Sequence, residues 1–219
     1  MKINFKMDYS DIYNVVAKYY PIGIDKNDPC YRMYSGHELL ELKLQEMLNS
    51  NEDVNRWKKL VLDFQHNFFE ILDANTDSSP LDPSFSVEVL IGEKKIGSII
   101  QRTKICCHLS YLGPFFCMYG KEEVNIERDM EVINFHPLIF ATPNSIMEKY
   151  YNTLRLSIES RYNGLSLVPF ILLSKRIKGL RIASSELKEY QYSSVYQALF
   201  KRENITDCKV VGNMLQNKN

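Results

Sequence analysis

The sequence predicts an α+β protein: an antiparallel sheet, with a central meander over about residues 85–140, packed against N-terminal and C-terminal helices. Three observations carry that prediction. Apolar residues recur at helical spacing through 8–73, alternate in twos through 84–140, and return to a helical or mixed pattern through 143–211. The strict strand–helix alternation of a doubly wound or barrel fold is missing. A chain of 219 residues fits all three parts in one domain, 1–219, with the helices on one face of the sheet.

The first helix spans 8–20, where Ile12, Val15, Val16 and Tyr19 share a face. Asp8 or Ser10 caps it, and Pro21 ends it by forcing the preceding residue out of the α region. The stretch 21–34 lacks a period and reads as an ordered loop. Ser35-Gly36-His37-Glu38 has capping-box spacing and opens a helix to about Asn49, with Leu40, Leu44, Met47 and Leu48 on its apolar face. Ser50-x-x-Asp53 is a second such signal. The helix after it carries a core-facing stripe of Trp57, Leu60, Val61, Phe64, Phe68, Ile71 and Leu72.

Past the turn-rich segment 75–84, Phe85, Val87, Val89 and Ile91 alternate as a strand does. Gly92-Glu93-Lys94-Lys95 reads as the hairpin connection to a β-prone run from Ile96 to Tyr111. Leu112-Gly113-Pro114 turns the chain into a strand over Phe115–Tyr119, and a further strand lies within Glu131–Phe140. Thr142-Pro143 has the form of an N-cap with proline at the first helical position. Its helix carries Ile146, Tyr150, Leu154 and Ile158 and stops near Asn163-Gly164. The stretch 165–182 fits strand or helix equally. Ser193 or Ser194 begins a short helix with Val195, Leu199 and Phe200, and a last strand lies within Ile205–Val211.

Composition narrows the setting. The chain is 45% hydrophobic and 25% charged, outside the disordered class. No signal-peptide run follows the N-terminal Met, and the most apolar stretch, Leu165–Leu173, falls well short of the ~20 residues a membrane helix needs. Five cysteines, two of them adjacent, point to free thiols, no disulfides and a cytoplasmic location. No membrane partner is expected.

Several chemistries are excluded by motif. The phosphate-binding loops Gly-x-x-x-x-Gly-Lys-Ser/Thr and Gly-x-Gly-x-x-Gly are absent, and Gly164-Leu165-Ser166-Leu167 continues with Val168 where a hydrolase elbow needs glycine. His37-Glu38-Leu39-Leu40-Glu41 ends in glutamate where a zinc protease needs a second histidine, and no metal or cofactor is implied. One stretch does suggest chemistry. In a strand, Cys106, His108 and Ser110 share a face, and a thiol beside an imidazole is the minimal nucleophile–base pair of a thiol-dependent hydrolase or transferase. Cysteines in apolar strands are more often small buried hydrophobes. Whether Cys117 joins the patch depends on a register that the sequence leaves open.

Charge gives the leading functional expectation. Twenty-seven Lys and Arg balance 27 Asp and Glu, which disfavours a generic polyanion binder. The zero is a cancellation, however. Glu122–Glu131 has five acids (Glu122, Glu123, Glu127, Asp129, Glu131) against one base, while 174–202 has seven bases, including Lys175, Arg176, Lys178 and Arg181, against two acids. An acidic segment suits capture of a basic protein partner, and 14 tyrosines add amphipathic contact area. The expectation is a non-enzymatic cytosolic protein-binding module, a toxin-neutralising immunity or regulatory protein being one form of it. The alternatives are the thiol enzyme and nucleic-acid contact through 175–181, the latter disfavoured by the absence of a basic excess.

Overall fold

Eight strands form one mixed, mostly antiparallel sheet in the computed structural model, which describes residues 8–68, 71–75, 82–128, 131–182 and 191–214. Its backbone is three long strands, β2 (Ser84–Ile96), β3 (Ile99–Ser110) and β4 (Phe115–Arg128), paired antiparallel in sequence order. Short strands fill the flanks. β1 (Asp73–Asn75) pairs with β2. The outer side of β4 takes β5 (Glu131–Asn134), β6 (Leu138–Phe140) and, in parallel, β7 (Ser166–Leu167). β8 (Lys209–Val211) closes that side, parallel to β6. Two parallel pairings thus join the expected antiparallel meander.

The expected N-terminal helices form with adjusted ends. α1 (Tyr9–Tyr19) is capped by the Asp8 carboxylate, which accepts from the Ser10 N–H at 3.0 Å, and ends before Pro21. The 21–34 loop contains a short helix, α2 (Pro29–Arg32), capped by Asp28. α3 (Ser35–Asn49) is not opened by a Ser35 box: Tyr34 is its N-cap, without a side-chain cap bond, and Ser35 is already helical. Close packing on α1 explains the shift. A Cβ on the buried Gly36 would collide with the Lys18 carbonyl and the Tyr34 ring. α4 (Asn51–His66) is capped as expected, Ser50 Oγ accepting from the Asp53 N–H at 3.2 Å. It stops at His66, so Ile71 and Leu72 lie beyond it, and the Leu72 N–H donates to the Leu90 carbonyl alongside β1.

The hairpin turn is not at Gly92. β2 runs through that residue with a register shift between Leu90 and Gly92, and the chain reverses at Gly97-Ser98. Gly97 has φ +59°, the left-handed conformation that a two-residue hairpin turn requires. The helix expected from Thr142 begins later, as α5 (Glu148–Arg161), after a turn in which the Asn144 side chain accepts from the Ile146 and Met147 N–H groups. Its buried face is accordingly Tyr151, Leu154 and Ile158, with Met147 ahead of it, and Ile146 is exposed. The ambiguous 165–182 stretch yields β7 and a short helix, α6 (Phe170–Leu173). α7 (Val195–Leu199) starts with a full capping box between Ser194 and Gln197.

Helices cover both faces of the sheet, not one. On the Cys107 face, which also carries Phe85, Val87, Ile105, Phe116 and Met118, Trp57 of α4 stacks on Phe85, and Met147 fills the space that a side chain on Gly120 would need. On the His108 face, Tyr196 and Phe200 from the α7 segment and Phe170 of α6 pack against His108 and Tyr119. One cluster of buried side chains draws on α1, α4, α5, α6, α7 and the sheet between them. Beyond the Val89–Ile105–Gly120 row the same three strands run on as an arm, from Gly92 to Ile96, Ile99 to Thr103 and Glu122 to Arg128, with β5 alongside.

Candidate functional site

Alternation along β3 places Cys106, His108 and Ser110 on one face, as expected. The register sets His108 opposite Ser86 on β2 and Cys117 on β4, and Cys106 opposite Glu88 and Tyr119. Cys117 therefore shares the patch. The neighbourhood is sealed: His108, Cys106 and Cys117 are 0% exposed. His108 Nδ1 lies 2.8 Å from Ser86 Oγ, and its Nε2 lies 3.2 Å from the Tyr196 hydroxyl and 3.4 Å from that of Tyr119. One assignment satisfies every group. The neutral ring donates from Nδ1 to Ser86, Ser86 donates to Ser84, and Ser84 donates to the Phe200 carbonyl at 2.7 Å. Nε2 accepts from Tyr119, while Tyr196 donates to Glu203 at 3.2 Å.

Burial, with Lys201 adding to it, pushes the imidazole down to about 3, so it stays neutral at physiological pH. Burial also pushes the Cys106 thiol far above its ordinary value, and Cys107 and Cys117 with it. A nucleophile must be a thiolate within reach of substrate; Cys106 is neither ionised nor accessible. Ser110 is occupied locally, accepting from the Leu112 N–H at 3.1 Å. What the arrangement does is tie the α7 segment to the sheet through a buried polar chain.

Next along the same face sits an ionic square that sequence reasoning missed. Lys104 lies 3.0 Å from Glu88 and 2.7 Å from Glu123; Lys121 lies 3.4 Å from Glu88 and 2.6 Å from Glu123. Burial works against the Glu88 carboxylate, but Lys121 and Lys104 outweigh it and hold the group down at about 2. Burial likewise opposes the charge on Lys104, and its bonds to Glu123 and Glu88 more than restore it. Further out, Arg102 pairs with Glu93 at 2.7 Å and Lys95 with Glu127 at 2.9 Å. The only signal in the sequence was Glu88, the sole charge in an otherwise apolar and serine-containing run, 84–91.

The acidic segment is therefore a strand, not a patch. β4 sends Glu123 and Glu127 to the His108 face and Glu122 to the other, where Glu122 accepts from the Gln101 side chain at 2.7 Å. Glu123 and Glu127 meet lysines from β2, β3 and β4 itself, so cross-strand neighbours cancel the local charge. Glu131 begins β5, and Asp129 lies outside the described residues.

The basic candidates are also engaged within the chain. Arg176 donates to the Tyr192 carbonyl, Thr206 and Asp207, each at 2.9 Å. Lys175 Nζ sits 3.6 Å from the centroid of the Tyr9 ring, and the Arg181 guanidinium lies over Tyr192. Lys178 is exposed. Lys175 and Arg176 thus bind the C-terminal segment to α1 and to the 206–207 turn.

The arm's Cys107 face carries the second feature missed in sequence. Ile96 pairs with Ile99, Ile99 with Ile126, and Ile126 with Ile133, so four isoleucines stand side by side across four strands. Behind them come Lys94, Gln101 and Val124, with Phe135 beside Val124, to whose carbonyl its N–H donates at 3.1 Å. Ile96 is 59% exposed, Ile99 42%, Ile133 48% and Phe135 50%. Exposed isoleucines scattered singly would be unremarked, but directly opposed strand residues have Cβ atoms ~5 Å apart and form one surface.

Among the described residues, no group of three or more His, Cys, Asp or Glu side chains is placed to hold a metal ion, all five cysteines are free thiols, and no helix is long and apolar enough to cross a membrane. Comparison with protein-family models, with curated proteins and with solved structures gives no match for this chain.

Proposed function

We propose that the chain is a cytoplasmic, non-enzymatic protein-binding module that associates through the ladder face of its projecting arm. The observation that carries this reading is the contiguous row Ile96–Ile99–Ile126–Ile133, with Ile96, Ile99 and Ile133 exposed and Ile126 partly so, on the face whose inner rows lie under the chain's own helices. Contiguous apolar surface of this kind marks association sites in soluble proteins. The expected acidic recognition contributes at the rim, where Glu122 stands on the same face one row above Val124 and Gln101, available to a basic group on a partner. Occupying a partner is the whole activity of an immunity or regulatory protein, and the role is of that type.

Photo-crosslinking tests the reading. A photoreactive residue replacing Gln101, beside the ladder, should yield a covalent adduct with another polypeptide chain in cells. The same residue at Ser160, at the far end of α5, should not. Absence of any adduct at position 101 removes the proposal.

A further inference from the structure

The ladder has a shape and a setting that favour one occupant. Its charges do not call for an oppositely charged protein: on the reverse side of the arm Glu93, Arg102, Lys95 and Glu127 are satisfied in pairs, and the whole chain carries zero formal net charge. A molecule with no net charge does not repel its own copy. The centre of the ladder face is a row of isoleucines beside a row of mixed side chains, so a two-fold operation that lays one row over the other meets no like-charge pair and sets Ile126 and Ile133 against the apolar Val124 and Phe135.

Sterics choose the two-fold axis. α4 and Met147 already occupy the Cys107 face as far as the Gly120 row. Two such faces with arms pointing the same way would drive one helical layer into the other, since packed sheets stand ~10 Å apart and a helix is itself about 10 Å thick. With the arms antiparallel, each tip meets the end of the other copy's helical layer and fills the space where that layer stops. The axis then runs across the strands between two rows. It sets Ile126 over Val124 of the second copy, Ile133 over Phe135, Ile99 over Gln101 and the Ile96 side chain over the Lys94 stem.

We propose that the occupant of the ladder is a second copy of this chain, and that the protein forms an antiparallel arm-to-arm dimer; this rests on the arm being the association surface. Ile96, Ile99, Ile133 and Phe135 supply roughly 400 Å² per copy, within the range of a monomer's largest patch, which is often functional. Adding Lys94, Gln101, Val124 and Ile126 from both copies brings the buried total to about 1,200 Å², the lower limit of standard interfaces. The dimer is therefore concentration-dependent, with Kd on the order of micromolar.

Sedimentation across a concentration series should show monomer converting to dimer. Ile99→Lys, which buries a charge at the centre, should weaken the dimer roughly 30-fold or more. Leu156→Lys, on exposed α5 surface, should leave it unchanged, and an unaltered thermal midpoint for Ile99→Lys shows that folding is intact. The crosslinker at Gln101 should join two copies, with the attachment mapping to 96–99 of the second. A chain that stays monomeric to ~0.5 mM, far above such a Kd, or a dimer indifferent to Ile99→Lys, overturns the proposal. An adduct only with a different protein also overturns it, while leaving the binding reading standing; no adduct at all removes both.

Discussion

The two halves of the sheet are made by the same three strands and obey opposite rules. In the covered half, β2, β3 and β4 present Val87, Cys107 and Met118 to α4 and α5 on one side, and Ser86, His108 and Tyr119 to the α7 segment on the other. In the arm they present paired charges around the buried Ile100 on one side, and on the other a row of isoleucines of which Ile96 and Ile99 stand exposed. Alternation is intact throughout. What changes is the layer above it, and the layer decides whether a given side chain acts as core, ion pair or docking surface. A strand residue has no role of its own until its cross-strand and overlying neighbours are known.

Substitutions can break or sharpen that contrast. The largest effect belongs to the covered half: Trp57→Ala, which removes the ring stacked on Phe85, is expected to cost about 3–5 kcal/mol in urea unfolding. Ile96→Ser at the arm tip should change the same measurement by less than ~0.5 kcal/mol. Equal losses would mean that the arm is part of the cooperative core.

Next comes pH. The His108 imidazole is held at about 3 in the folded chain, against 6.5 when exposed. Between those values only the unfolded chain takes up the proton, so the contribution is complete above 6.5 and is lost as pH falls toward 3. From pH 7 to pH 5 stability should drop by about 2 kcal/mol from this group. His108→Gln should remove that slope, whatever it does to stability at pH 7. An unchanged slope would place the acid sensitivity elsewhere.

Glu88→Gln should cost about 1–2 kcal/mol at neutral pH, because it takes one carboxylate from two half-buried lysines that Glu123 then serves alone. With Glu88 held at about 2 against 4.5 when unfolded, its contribution is present above pH 4.5 and disappears on descent toward 2, below most of the histidine window. The smallest effect is expected from Glu127→Gln, whose partner Lys95 is more than half exposed: less than ~0.5 kcal/mol, and less again in 1 M salt.

The fold was readable where the signal is local. Ser50 with Asp53, the Trp57-to-Phe64 stripe, the alternation from Phe85 and the short helix begun at Ser194 all stand where periodicity and capping place them. Misreadings arose where a distant neighbour decides. Gly92 looked like a turn because the register shift it accommodates exists only against Thr103, and Ser35 looked like a cap because the close approach of Gly36 to Lys18 is invisible in a linear chain. The ion pairs within the acidic run were hidden for the same reason, since Lys95 and Lys104, which serve Glu127 and Glu123, lie 32 and 19 positions away in sequence. Cys106 and His108 were correctly placed on one face, while Cys117 waited on a register that only the β3–β4 pairing supplies, and the sealing of that face depends on Tyr196 and Phe200, some 90 residues later. The isoleucine ladder combines residues from four strands, and no window of sequence contains it.

The buried polar chain around His108 has a consequence for synthesis. The strands that carry Ser84, Ser86, His108 and Tyr119 leave the ribosome well before Tyr196 and Phe200, whose arrival closes that face. At ordinary elongation rates of 5–20 residues per second, the interval from the end of β4 to Phe200 is roughly 4–14 s. A valine- and leucine-lined face would spend those seconds as a sticky surface on a nascent chain. Two serines, a histidine and a tyrosine keep it hydrated while it waits, and the same hydroxyls and imidazole then exchange water for the Phe200 carbonyl and Tyr196 once the C-terminal segment is released.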